Sequence, residues 1–255
     1  MITIKNKSSI EKMEVAGKLL SQIMYQVAEI IVPDVSTLDI DLWIENKLKE
    51  NGLISKAKGY RGYPCSTCIS VNDEVVHGIP KKNKILKSGD LVKVDVCASW
   101  KGYCADMARC FFVNQKCSGQ EEKFVSVAKS ALNAGIEKAY PGNRLSDISS
   151  AIQLEVENNG YGIVRDFAGH GIGKNMHEDP EILNYGEPGK GPILRSGMTF
   201  AIEPMITLGD YNVYIADDGW TVKTRDKSLA AHVEDTILIT DNGPRILTRL
   251  NDSRK

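Results

Sequence analysis

Ile85-Leu86-Lys87-Ser88-Gly89-Asp90-Leu91-Val92-Lys93-Val94-Asp95-Val96 decides the fold, because the chain repeats it as Ile193-Leu194-Arg195-Ser196-Gly197-Met198-Thr199-Phe200-Ala201-Ile202-Glu203-Pro204. In both, a basic turn with Ser-Gly leads into an apolar strand that ends on an acid, Asp95 or Glu203. The offset of 108 residues holds upstream without a gap: Pro33, Asp39, Ile40, Ile44, Asn51, Gly52, Gly78, Pro80 and Lys82 recur as Pro141, Asp147, Ile148, Ile152, Asn159, Gly160, Gly186, Pro188 and Lys190. With Ile85, Leu86, Ser88 and Gly89 there are thirteen identities across 33–96, where average residue usage gives roughly four by chance. The period is too long for a solenoid and fits an internal duplication of a helix–helix–strand unit. An unpaired acid pointing inward from an apolar strand is costly. Two related strands that each carry one imply that the acids meet around something cationic; carboxylates facing water at two strand ends are the plainer alternative.

The 255 residues are 42% hydrophobic and 25% charged, with a formal net charge of −1. That suffices for a large core and lacks the basic excess of a nucleic-acid or polyanion binder. The N-terminus has no signal-peptide pattern, and no apolar run approaches the ~20 residues that span a bilayer. A soluble cytoplasmic protein with no membrane partner is the expectation. Six cysteines at 65, 68, 97, 104, 110 and 117 cluster in one third of the chain, unlike a disulfide framework. Cys65-Ser66-Thr67-Cys68 is a lone CxxC without a second pair, and buried thiols explain it better than zinc.

Ser8 and Glu11 read as a capping box opening a helix that Pro33 ends. A second helix starts near Ser36-Thr37 and stops at Asn51-Gly52. After Gly59 come loops and short β-type segments at 68–71, 74–77, 91–96 and 109–113, with Trp100-Lys101-Gly102-Tyr103 as a hairpin connection returning Asp106 beside Asp95. The second half restarts with a capping box at Ser118 and Glu121, a further helix near 146–158, the loop Gly169-His170-Gly171-Ile172-Gly173, and strands carrying Glu203 and Glu234. No linker separates the halves. The expectation is one α+β domain over 1–255, with half-repeats about 8–113 and 118–248 sharing a central antiparallel sheet, helices outside and acids inside.

Asp95, Asp106, Glu203 and Glu234 then occupy matching places, and like charges at close range need compensation. A pair of divalent cations supplies it, and an oxygen-rich site with one imidazole suits Mn, Fe or Co. Two such ions can share a water, lower its pKa and clamp an oxyanion. His170 is the nitrogen donor this scheme needs, its flanking glycines allowing close approach. A loop histidine alone is as compatible with a structural role; the four acids turn the reading. His77 and His177 are further candidates, each of which a hydrogen-bonded loop histidine would equally explain.

These residues resemble the type I, bacterial-length methionine aminopeptidases of the pita-bread metallopeptidase family. The resemblance runs from about 5 to 248 and rests on Gly59-Tyr60-Arg61-Gly62-Tyr63-Pro64, His77-Gly78-Ile79-Pro80, Asp95 and Asp106, Gly169 to Gly173, Met198 to Pro204, and Asp218-Gly219-Trp220-Thr221-Val222-Lys223-Thr224. It implies two metal ions, with Asp95 chelating one, His170 and Glu203 holding the other, and Asp106 and Glu234 bridging both. It implies that a hydroxide shared by the metals attacks the first peptide bond, that His177 hydrogen-bonds the carbonyl, that His77 contacts the substrate backbone, and that Glu203 carries the proton. The methionine pocket falls on Tyr60, Tyr63, Cys68, Met176 and Trp220; Met176 stands where the family usually has Phe, and Ala57 where Cys is frequent. The implied substrates are nascent N-termini with a small second residue, near the ribosome, and the implied state is a monomer.

The offset of 33 from His170 to Glu203 leaves no room for the helical insert of type II, and no zinc-binding extension is expected before the first helix. A prolidase or X-Pro aminopeptidase would carry a separate N-terminal domain. A metal-free creatinase-type hydrolase, or a binding protein on the same fold, would not keep all five ligand positions.

Overall fold

In the computed structural model, which describes residues 1–115 and 117–250 and so stops five short of the expected domain end, the duplication appears as backbone hydrogen bonds repeated at the same offset. Asp34 N donates to Leu86 O at 2.9 Å, and Gly142 N donates to Leu194 O at 3.0 Å. Thr37 N to Lys84 O at 2.9 Å recurs as Leu145 N to Pro192 O at 3.0 Å. The bridge Ser36 to Ile85 recurs as Arg144 to Ile193.

The first half holds α1 (Lys7–Val27), α2 (Thr37–Glu50), β1 (Ile54–Ser55), β2 (Cys68–Val71), β3 (Leu91–Trp100) and β4 (Tyr103–Phe112). The second holds α3 (Gly119–Ile136), α4 (Leu145–Asn158), β5 (Gly162–Ile163), β6 (Gly169–Gly171), β7 (Glu178–Ile182) and β8 (Thr199–Ile202). It continues through β9 (Met205–Thr207), β10 (Val213–Ile215), β11 (Val222–Thr224), β12 (Ala230–His232), β13 (Glu234–Thr240) and β14 (Gly243–Ile246). Ser36 with Asp39 and Ser118 with Glu121 form capping boxes, satisfying two orphan donors at each helix start. The box expected at Ser8 is not the start of α1. Asn6 caps it, its side chain accepting from Ser9 N at 2.9 Å, since Asn is as good a cap as Ser. The segment 74–77 is also not a strand: it makes one bridge, Glu74 to Lys223, and His77 has φ of 57°.

The main sheet among the described residues runs β1-β3-β4-β13-β8-β6-β7, with β2 also on β3 and β14 on β13. The central pair is β4–β13, flanked by β3 and β8, so the halves meet about its middle. Val92, Val94 and Val96 of β3 pack with Leu20, Ile23, Ile40 and Ile44 of α1 and α2. Phe200 and Ile202 of β8 pack with Phe124, Ala128, Ile148 and Ile152 of α3 and α4. Strand side chains alternate between faces. The intervening residues, Asp95 and Ala201 among them, therefore turn to the helix-free face.

Candidate metal centre and substrate cleft

Two neighbouring rows across that face build the site. In one, Cys68 opposes Asp95, Asp95 opposes Ala108, and Ala108 opposes Glu234. Glu203 follows β8 directly and continues this row past Glu234. In the other, Cys97 opposes Asp106, while Thr236 opposes Ala201 and Ala201 opposes His170. The Thr236 hydroxyl joins the two parts, accepting from Asp106 N and donating to Asp106 O, both at 2.8 Å. Ala108 and Ala201 between the larger groups leave space for what the acids hold. The hairpin turn Lys101-Gly102, with φ of 47° and 80°, suits the two-residue connection that fixes this register.

Like charges and burial dominate the electrostatics. Burial, then the neighbouring Glu203, pushes Asp106 up to about 7, and burial pushes Glu203 up to about 8. Asp95 and Glu234 are raised too, by burial first and then by Asp106. Asp106 Oδ1 and Glu234 Oε1 are buried without any hydrogen-bond partner. The adjacent Asp235 shows what a structural acid looks like here: on the opposite face, it meets Arg109 Nη2 and Arg249 Nε, each at 2.7 Å.

His170 shows which way its lone pair points. Gly171 O can only accept, so the 2.9 Å contact makes Nδ1 the donor. Nε2 then offers its lone pair 3.5 Å from Glu203 Oε1 and 3.9 Å from Asp106 Oδ2. Burial, then His177, holds the imidazole down to about 4, so it is neutral. A lone pair facing carboxylates is repulsive unless a proton or a cation lies between them. The donor set, carboxylate-rich with neutral imidazole, fits a divalent ion of the Mn, Fe or Co kind. The glycines beside His170 are required: a Cβ on Gly169 would sit 2.5 Å from Ala201 O, and one on Gly171 2.1 Å from Asp179 O.

A cleft of about 680 Å³ opens over this centre. Asp95, Asp106, His170, Glu203, Glu234, His77, His177, Tyr60, Tyr63, Cys68, Met176 and Trp220, all singled out in the sequence, line it together. Tyr63 donates to Thr67 O and Gly78 O at 3.0 Å and packs edge-on to Trp220. Tyr60 Oη lies 3.0 Å from His177 Nδ1, and the His177 ring stands edge-on to His170. Two residues escaped the sequence reading. Phe167 packs edge-on to His77 in the cleft wall. His232 is buried with Nε2 3.3 Å from Glu203 Oε2, and it forms with Glu203 and Glu234 a second trio of metal-capable donors beside Asp106, His170 and Glu234. The one available signal was His232-Val233-Glu234, an i, i+2 spacing.

Residues 11–241 match the model of metallopeptidase family M24. A methionine aminopeptidase of Clostridium acetobutylicum is 49% identical over 97% of this chain and 99% of its own. The chain belongs to the M24 methionine aminopeptidases. A solved methionine aminopeptidase from Thermotoga maritima superposes with a TM-score of 0.96 at 45% identity, covering 98% of this chain and all of its own. A prolidase from Pyrococcus furiosus shares the fold at a TM-score of 0.79 and 27% identity, but only 66% of it is covered. The α+β architecture expected from the duplication, and the pita-bread fold that the resemblance implied, are therefore the ones observed, and the X-Pro peptidase alternative is the more distant relative. Ala57 and Met176, the two positions noted in the sequence as departures, both line the cleft. Among the described residues, no helix is long and apolar enough to cross a membrane.

Proposed function

We propose that this single-domain enzyme removes N-terminal methionine from nascent proteins and peptides, favouring a small second residue, with two divalent ions of the Mn, Fe(II) or Co kind. The observation that carries it is the neutral His170 lone pair aimed at Glu203 and Asp106, beside an Asp106 oxygen and a Glu234 oxygen that are buried without a hydrogen-bond partner. Asp95 would hold one ion, His170 and Glu203 the other, with Asp106 and Glu234 shared between them. Bound ions of this kind supply an activated water and polarise a carbonyl.

The protein's own groups do the rest. Tyr60 Oη, 3.0 Å from His177 Nδ1, orients the ring, and in the tautomer in which Tyr60 donates, Nε2–H is left for the developing oxyanion; losing one such donor costs ~10²–10³ in turnover. Glu203, between the His170 and His232 rings, accepts a proton and passes it to the leaving amine. His77, neutral because burial holds it to about 4, contacts the substrate backbone. Tyr60, Tyr63, Cys68, Met176 and Trp220 enclose the methionine side chain and exclude water. The setting is the cytoplasm, the form a monomer, and the partners are emerging N-termini at the ribosome.

The test is hydrolysis of Met-Ala-Ser after chelation and re-addition of Mn, Fe(II), Co or Zn, with bound metal counted. Activity should vanish on chelation, return with about two ions per chain, and exceed that on an X-Pro dipeptide. Full activity in a metal-free preparation would refute the reading.

A further inference from the structure

We infer that His232 is a positioning residue for Glu203, setting the orientation of its carboxylate so that one oxygen stays free for a cation. This rests on the reading of Glu203 as a ligand. His232 closes β12, which pairs with β9 opposite Met205, and its carbonyl accepts from Cys110 Sγ at 3.3 Å. The ring is only 1% exposed, yet neither nitrogen has a hydrogen-bond partner. Such a buried group in a native interior calls for a reason. Glu203 supplies one. Its Oε1 lies 3.5 Å from His170 Nε2, and its Oε2 lies 3.3 Å from His232 Nε2. Each oxygen thus faces a different imidazole. His170 Nε2 carries a lone pair and cannot donate, because its Nδ1 proton is committed to Gly171 O. Of the two rings, only His232 can donate to Glu203. A proton on His232 Nε2 would hold Oε2 and leave Oε1 beside the His170 lone pair, where a cation needs it. Partners of this kind that orient a ligand typically matter 10–100-fold in metal affinity.

The test titrates metal-free wild type, His232→Leu, His232→Phe and His232→Gln with Co(II), following heat and visible absorption. The Leu and Phe variants should bind Co(II) about 10–100-fold more weakly, with an altered absorption band. His232→Gln, which keeps an N–H toward Oε2, should recover to within a few-fold of wild type. The metal-free melting temperature of the apolar variants should stay within a few degrees of wild type, so that weaker Co(II) binding reports the metal site and not a loss of fold. Wild-type affinity and absorption in Leu or Phe would overturn the inference. A Gln variant as weak as Leu would also overturn it, making the ring nitrogen itself a ligand. Wild type that binds no Co(II) would instead bring down the metal reading on which this depends, so the two failures are distinguishable.

Discussion

The hairpins of the two halves place their acids differently. In the first, β3 and β4 are ten residues each, joined by Lys101-Gly102, and both acids stand mid-strand as aspartates. In the second, Glu203 lies just past the four-residue β8 and Glu234 opens β13, with β9 to β12 between them. Glutamate reaches from a strand end to where aspartate reaches from the middle. The duplication thus accounts for the carboxylates. The departure from symmetry accounts for what distinguishes a metallopeptidase from a charged groove: His170, His177, His232, Phe167 and Trp220 all come from the second half.

If the two hairpins are equivalent as ligands, Asp106→Asn and Glu234→Gln should be equally damaging. Each should lower kcat/KM on Met-Ala-Ser by roughly 10³-fold or more, the equivalent of losing several kcal/mol of charge stabilisation, and each should lower the bound metal. A gap wider than about 100-fold between them would break the equivalence, showing that one hairpin carries the chemistry.

Removing the metal should expose the cost of gathering these acids. The buried His77, His170 and His232, held to about 4, offset the acids below their ordinary ~6.5; above it they are neutral in both states. There Asp106, raised to about 7, and Glu203, raised to about 8, make the folded chain bind more protons than the unfolded one up to about pH 8. Stability of the chelated protein then falls as pH rises through that window, by about 1–3 kcal/mol at each unit's ~1.4 kcal/mol. Urea unfolding of the chelated protein should show a lower midpoint at pH 8 than at pH 6.5, and added Mn should remove the difference. Equal midpoints without metal would mean that protein groups already compensate the acids.

A milder asymmetry sits at Lys93, whose counterpart 108 residues on is Ala201. Ala201 is small and opposes His170. Lys93 is fully buried, with Nζ donating to Asn72 O at 2.8 Å, and burial lowers it to about 8. The unfolded lysine keeps its proton to ~10.4, so stability should rise with pH from about 8 to 10.5; below pH 8 the penalty is fully present. Lys93→Met should flatten that slope and stabilise the protein at pH 7 by about 1–3 kcal/mol, read by denaturant unfolding across pH. Destabilisation instead would make the ammonium a structural tie that the second half replaces with other contacts.

The duplication and the four acids were legible because strand register converts spacing into adjacency: a two-residue turn is enough to bring Asp106 back beside Asp95. The loop histidine was legible because its neighbours had to be glycine. His232 was not, because Ala230-Ala231-His232-Val233 reads as an apolar strand and only the break between β12 and β13 turns the ring under Glu203. Glu234 was singled out in the sequence, but what separates it from Asp235 is the face each takes, Asp235 meeting Arg109 and Arg249 on the other side. Val75-Val76 has strong strand character, but the valines pack with Met205 and Val222 and the chain turns at His77, tertiary contacts overriding propensity.

The smallest expected effect concerns Met176, one of the two cleft positions where the sequence departs from the pattern it resembles. Met176 comes from the second half, yet it is buried against Cys97 and Cys104 of the first and against Tyr60, so it closes the pocket across the boundary between the halves. A flexible thioether adapts its shape where a Phe ring cannot. Peptides beginning with norleucine or leucine should therefore be cleaved relatively better by the native enzyme than by Met176→Phe. The shift in their kcat/KM ratios to a methionine peptide should be at most about 1–3 kcal/mol, the worth of a methylene's fit. Unchanged ratios would place selectivity on the remaining wall, Tyr60, Tyr63, Cys68 and Trp220, and leave Met176 as packing alone.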